Sequence, residues 1–315
     1  MRAHRQLRSV QHLIALLALT FLIPLPALAT PTTWLSPNQR DHALAGVIVN
    51  ARGEPVPESE LLSELATSRF AFLGEKHDNA DHHRIEARLI ARRLASQPGT
   101  AVVFEMLDDA QRPLIPGLTA EDSLETIKAK LAWPAKGWDF AVYGPLFKAS
   151  LDGGILVAGN IGKKFIGELY EKGEPMLQGD ARFLTVFSAS PETRAYLLDT
   201  IFEAHCGMRP RDTLAPMVSI QLAKDASMAS AMADQKAALL IAGGEHVRTR
   251  TGVPSHLLKL KPGERRVVIQ LMEVVAGETD PKVYVERAGP ADFYWLTPGA
   301  VEKDNCADVK GRAAR

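Results

Sequence analysis

FAFLGEKHDNADHHRIEARLIARRLA, residues 70–95, holds a strand, a turn and a helix in succession. The apolar run Phe70–Leu73 is short and ends at a glycine, which reads as a buried strand. From Asp81 to Ala95, Ile85, Leu89 and Leu94 recur at helical spacing beside an arginine-rich face, so a helix follows the turn and packs its apolar stripe inward. Three more short aliphatic runs, Ala101–Phe104, Ile155–Ala158 and Ala238–Ala242, end in polar or glycine-containing turns. This alternation predicts an α/β class: a mainly parallel sheet flanked by helices. Runs at 266–275 and 283–286 are expected to add strands at an edge.

The gaps between the main runs are too long for simple crossovers. Residues 107–145 and 161–236 are therefore read as insertions, together forming a smaller helical subdomain. One helix is expected to open at Ser190-Pro191-Glu192, where a capping hydroxyl, a proline at the first helical position and an acid in the first turn coincide. A second should run from about Asp212 to Asp234, with apolar residues on several faces.

The amino terminus sets an expected compartment. Arg2, Arg5 and Arg8 precede an apolar stretch, Leu13–Leu28, that closes in Ala27-Leu28-Ala29, the pattern of a secretory signal peptide cleaved near Ala29. Pro24 and Pro26 interrupt the end of the stretch, which is marginal against the roughly 20 apolar residues of a membrane span. The expected mature product is soluble and periplasmic or secreted, with one domain over residues 30–306 and a polar tail over 307–315. Without the leader arginines the 37 basic and 37 acidic residues become 34 and 37. A net charge of −3 gives no footprint for a nucleic acid or other polyanion. The two cysteines, Cys206 and Cys306, are expected to be bridged in an oxidising compartment; the alternative is a reactive or ligating thiol at Cys206 beside His205.

Each main strand is followed at its carboxyl end by a residue capable of chemistry: Glu75 and His77, Glu105, Asn160, and Glu245 with His246. Ligands of open α/β sheets bind outside those ends. The first and last sites share a form, since Gly74-Glu75-Lys76-His77 and Gly243-Gly244-Glu245-His246 are both Gly-x-x-His turns. Two imidazoles with carboxylates Glu75 and Glu105 would suit a divalent metal that activates water, or a large anionic cofactor. Asp78, Asn79 and Asp81 read as helix-start residues. His82 and His83 are adjacent on one helix, so at most one faces the site. His205 ends a helix, where the dipole favours it in any case.

The ordered set FLGEKHDNADHH, VVFEM, WDFAVYGPLFKAS, ILVAGN, EAHCGM, QLAKDASMA and LLIAGGEHVRTRTGVPSHL resembles the ChaN-like haem-binding proteins of the Tiki/TraB/EreA-like superfamily, over roughly residues 60–306. The resemblance implies haem binding linked to homodimerisation, a tyrosine ligand to iron, and a part in bacterial iron acquisition, with an outer-membrane haem receptor system as a further partner. Tyr143 is the tyrosine selected here, with Tyr170 and Tyr196 as rivals and His77, His246 and Asn160 as further cofactor contacts. The ChaN-like pattern includes lipid attachment, but this leader has no cysteine to carry it. Other branches imply metal-dependent peptidases or esterases; on this sequence His77, His246, Glu75 and Glu105 would hold the ion, with Glu75 or Glu105 as general base. Haem binding is the first reading and metal-dependent hydrolysis the second.

Overall fold

The computed structural model describes residues 33–301 and 306–307. The expected leader, and all of the expected tail except Ala307, lie outside the described residues. Eight strands form one sheet: β1 (Ile48–Asn50), β2 (Pro55–Val56), β3 (Phe70–Glu75), β4 (Ala101–Phe104), β5 (Ile155–Ala158), β6 (Ala238–Gly243), β7 (Arg266–Glu273) and β8 (Phe293–Thr297). Their order is β2-β1-β8-β7-β3-β6-β4-β5. The six strands from β8 to β5 run parallel, and β1 and β2 add an antiparallel margin beside β8.

Helices α1 (Glu58–Thr67), α2 (Ala80–Ser96), α3 (Leu124–Lys130) and α4 (Phe140–Leu151) precede β5, and α5 (Lys163–Lys172), α6 (Pro191–Ala204) and α7 (Ala215–Ala233) lie between β5 and β6. The last two are α8 (Val253–Leu260) and α9 (Pro281–Ala288). Side chains alternate along a strand, so Leu73, Phe104 and Ile241 pack with α2 and α4 residues on one face, while Phe72, Val103 and Leu240 meet α7 and α8 residues on the other. The central strands are apolar on both faces because both are covered.

The insertion between β5 and β6 builds a small core of its own, in which Leu169, Leu197, Leu222, Phe183 and Val186 are buried together. Ser190 caps α6 by accepting from the Thr193 amide, with Pro191 at its first position. The second expected helix is α7, preceded by a short 3-10 turn at Arg211–Leu214. Cys206, just after α6, is disulfide-bonded to Cys306, with Cα atoms 5.7 Å apart.

Two edge expectations are corrected. The run at 266–275 is β7, an interior strand between β3 and β8; its continuous burial from Val267 to Leu271 reflects neighbours on both sides. The run at 283–286 lies in helix α9. Asp280 caps that helix through the Lys282 amide and Pro281 takes its first position, a start signal that outweighs the β-branched Val283 and Val285. The strands absent from the sequence reading are β1, β2 and β8; the five residues of β8, Phe293–Thr297, are all buried.

Candidate functional site at the carboxyl edge of the sheet

Strand register brings the two Gly-x-x-His turns together. In the parallel pair β3–β6, Glu75 lies opposite Gly243 and Gly74 opposite Ala242, so the turn carrying His77 leaves the sheet beside the turn carrying His246. On the other side of β6, Phe104 lies opposite Ile241, which brings the next residue, Glu105, to the same edge. Glycine is required by packing here. A β-carbon at Gly74 would lie 2.3 Å from Val247 Cγ2, and one at Gly243 would lie 2.7 Å from His77 Nε2.

His77 is the more open imidazole, with 36% of its side chain exposed. Its Nδ1 is 2.9 Å from Glu75 Oε1, and the Tyr143 hydroxyl donates to the same oxygen at 2.9 Å. The Trp138 ring lies against the imidazole, with centroids 4.6 Å apart. Burial disfavours the charged ring, but the hydrogen bond to Glu75 and the charge of Glu105 outweigh it and raise the His77 pKa. A carboxylate on one nitrogen fixes the ring's tautomer and orientation and makes the other nitrogen more basic.

His246 is held from both ends. Nδ1 is 2.5 Å from Asp225 Oδ1 and Nε2 is 3.2 Å from Glu105 Oε1, and all three residues are buried. Burial again opposes the charged ring, yet Glu105 and Asp225 prevail and push its pKa up to about 10. For Glu105 burial alone would raise the carboxyl, but His246, His77 and the Gly243 amide, which donates to Oε2 at 2.9 Å, hold it well below the usual carboxylate range. Burial pushes Asp225 up to about 6 against the opposing pull of His246. The two carboxylates thus favour the charged form of His246 and engage both of its ring nitrogens.

A cavity of about 470 Å³ opens over this edge, lined by His77, Gly243, Gly244, Glu245, His246 and Gln221 on one side. Leu197, Thr200, Ile201 and Ala204 of α6 form the facing wall, an apolar stripe at helical spacing. Tyr196 lies one position before it and donates to Glu245 Oε2 at 2.7 Å. Burial, then the hydrogen bond to Glu245, pushes that phenol up to about 12.

Residues 61–257 match the family model described as "Haem-binding uptake, Tiki superfamily, ChaN". The chain belongs to this family. Among solved structures, ChaN of Campylobacter jejuni, described with cofacially bound haem, is similar with a TM-score of 0.65 and 23% identity, over 80% of this chain and 97% of that one. Its likeness shows the fold. The type III effector HopBA1 matches with a TM-score of 0.40 and 12% identity over 76% of this chain and 91% of that one. A Bacillus cereus protein matches with a TM-score of 0.34 and 11% identity over 73% and 72%. No curated protein matches the chain.

On this ChaN scaffold the residues selected from sequence fall into distinct roles. His77, His246, Glu75 and Glu105 do share one edge, but Glu105 stands between the imidazoles, 3.8 Å from His77 Nε2 and 3.2 Å from His246 Nε2. Asn160 does not line the cavity; its amide donates to the Glu105 carbonyl at 2.9 Å and its oxygen accepts from the Ile161 amide, which holds the β4 and β5 ends together. Tyr143 is buried, and burial followed by the charges of Glu75 and Glu86 raises its phenol far above the usual range. Its hydroxyl is spent on Glu75. Of the rivals, Tyr170 is 43% exposed on α5 and Tyr196 borders the cavity.

Of the adjacent histidines one faces the site. His82 is fully buried, bonded to the Lys76 amide and Thr297, and burial holds its pKa well below the ordinary value. His83 points to Glu75. Asn79 caps α2, whereas Asp81 is buried and accepts from the Leu35 and Ser36 amides. His205 bonds back to the Ile201 carbonyl at the end of α6. Sequence reading missed Asp225 and Glu86. An isolated acid among Leu222, Ala223, Ala226 and Met228 was the available signal for the first, since a carboxylate in an apolar helix face needs a buried partner.

Proposed function

We propose that this ChaN-family protein binds haem at the cavity over the sheet edge. The carrying observation is the pairing of an open imidazole, His77, secured by Glu75, with the apolar wall Leu197, Ile201 and Ala204 across a single cavity. The donor chemistry fits the group: the wall offers a dry face to a porphyrin, and an imidazole oriented by a carboxylate is a suitable ligand for haem iron. Bound haem would supply a Lewis-acidic, redox-active iron. His77 would face that iron, and the α6 wall would cover one porphyrin face.

The leader read from the sequence and the disulfide support a periplasmic or secreted location, because such bridges persist in oxidising compartments. In that setting the protein would take part in haem and iron uptake or handling, as a homodimer and in company with an outer-membrane haem receptor system. Hydrolysis by a metal held on His77 and His246 is the weaker reading, since both His246 nitrogens are engaged by carboxylates.

Titration of purified mature protein with hemin should give a shifted, saturable Soret band. His77→Ala should weaken binding by roughly tenfold or more and alter the band, while Tyr143→Phe should leave it in place. A titration matching that of buffer alone refutes haem binding, and loss of the band in Tyr143→Phe refutes the assignment of His77.

A further inference from the structure

Behind His77, on the side away from the α6 wall, lies a second cluster. His83 and Glu86 stand three residues apart on α2 and so share one face of that helix. Both turn toward Glu75. His83 Nδ1 is 3.1 Å from Glu75 Oε2 and 3.0 Å from Glu86 Oε2. Glu86 is fully buried, and Glu75 and His83 are nearly so.

The other nitrogen of the ring determines what Nδ1 can do. His83 Nε2 lies 3.0 Å from the backbone oxygen of His77, and a carbonyl oxygen only accepts. Nε2 therefore carries hydrogen, and the Nδ1 lone pair of the neutral ring is aimed at two carboxylates. The cluster therefore needs a positive charge among the three groups, which either a proton on Nδ1 or a bound cation supplies. Glu75 Oε2 and Glu86 Oε1 are also shut away from solvent without a hydrogen-bond partner, which is costly for a carboxylate unless something else neutralises it.

We infer that Glu75, His83 and Glu86 form a binding site for one divalent transition-metal cation of the zinc or manganese class. Their ligand atoms all lie within 4.8 Å of one another. Tetrahedral bonds of about 2.0–2.2 Å to a common ion put neighbouring donors roughly 3.3–3.6 Å apart, so the Nδ1–oxygen distances of 3.1 and 3.0 Å would open by a few tenths of an ångström. One imidazole and two carboxylates favour a borderline cation over magnesium or calcium, which take all-oxygen shells. The cluster is within reach of solvent, since His83 lines a cavity of about 360 Å³ with Ala80, Ala87, Val142 and Leu146.

The placement gives the ion a role. It would take Glu75 Oε2 and leave Oε1 to His77 and Tyr143, which locks the carboxylate that orients His77. The inference needs no haem and is tested without it. Full mature protein, stripped with chelator and titrated calorimetrically with Zn²⁺ or Mn²⁺, should bind one ion per chain. Glu86→Gln and His83→Gln should each weaken binding by roughly tenfold or more, with folding checked by circular dichroism. Wild-type protein that takes up no stoichiometric ion overturns the inference whatever the variants do. Unchanged affinity in both variants also overturns it, because the ion is then elsewhere.

Discussion

Gly243→Ala tests the packing on which the imidazole arrangement depends. The added methyl carbon would lie 2.7 Å from His77 Nε2 and 3.0 Å from its Cε1, where ordinary contact begins at 3.4 Å. The ring would have to retreat by about 0.7 Å, the difference of those values. Its room to retreat is limited by Trp138 and by the 2.9 Å bond to Glu75. Overpacking of this kind costs about 1–3 kcal/mol. Gly243 is outside the left-handed backbone region, so alanine adds the collision without backbone strain. A loss near 2 kcal/mol predicts a Tm lower by about 4–8 °C, together with weaker hemin binding. The decisive assay is a double-mutant cycle: in a His77→Ala background the same methyl meets no ring, and its cost should fall below about 0.5 kcal/mol. Equal Tm losses from Gly243→Ala in the two backgrounds would refute the proposed contact.

The Asp225–His246 pair should be visible in the pH dependence of stability. With the folded-state pKa of His246 raised to about 10, above about 6.5 in the unfolded chain, its contribution is complete below about pH 6.5 and fades as pH rises toward 10. Asp225→Asn removes the smaller of the two carboxylate charge contributions and leaves Glu105 in place, so it should cost about 1.5–3 kcal/mol at pH 7 and progressively less toward pH 10; a urea-unfolding difference that stays constant over that range would contradict the assignment. Removing the disulfide by Cys206→Ser with Cys306→Ser should destabilise the chain by about 4–5 kcal/mol on the chain-entropy model, given its separation of 100 residues. A midpoint unchanged between oxidised wild type and this double variant would show that the bridge adds no stability.

The central strands could be read from sequence because each is a short aliphatic run buried on two faces and ended by glycine or a polar residue. Asp280 and Pro281 were visible too, yet β-branched valines drew the reading to a strand; a cap and a proline at the first turn were the stronger local instruction. β8 was missed because FYWLT is brief and its pairing with β7 and β1 is a tertiary fact. At the site, the convergence of His77, Glu105 and His246 followed from strand ends, since parallel register makes sequence position into spatial position. The partners behind them were harder. Asp225, Glu86 and Tyr143 come from helices α7, α2 and α4, whose rotation about their axes depends on how they pack on the sheet.

The bond between Cys206 and Cys306 begins two residues after Ala204, the last residue of the apolar wall. During synthesis that wall is complete long before its partner cysteine, because another 100 residues must be added first. Under the export proposed above, the bridge could form only after transfer out of the reducing interior. The covalent clasp beside the cavity would thus act as a timer, favouring a fully tied ligand wall at the destination over one assembled around cytosolic haem.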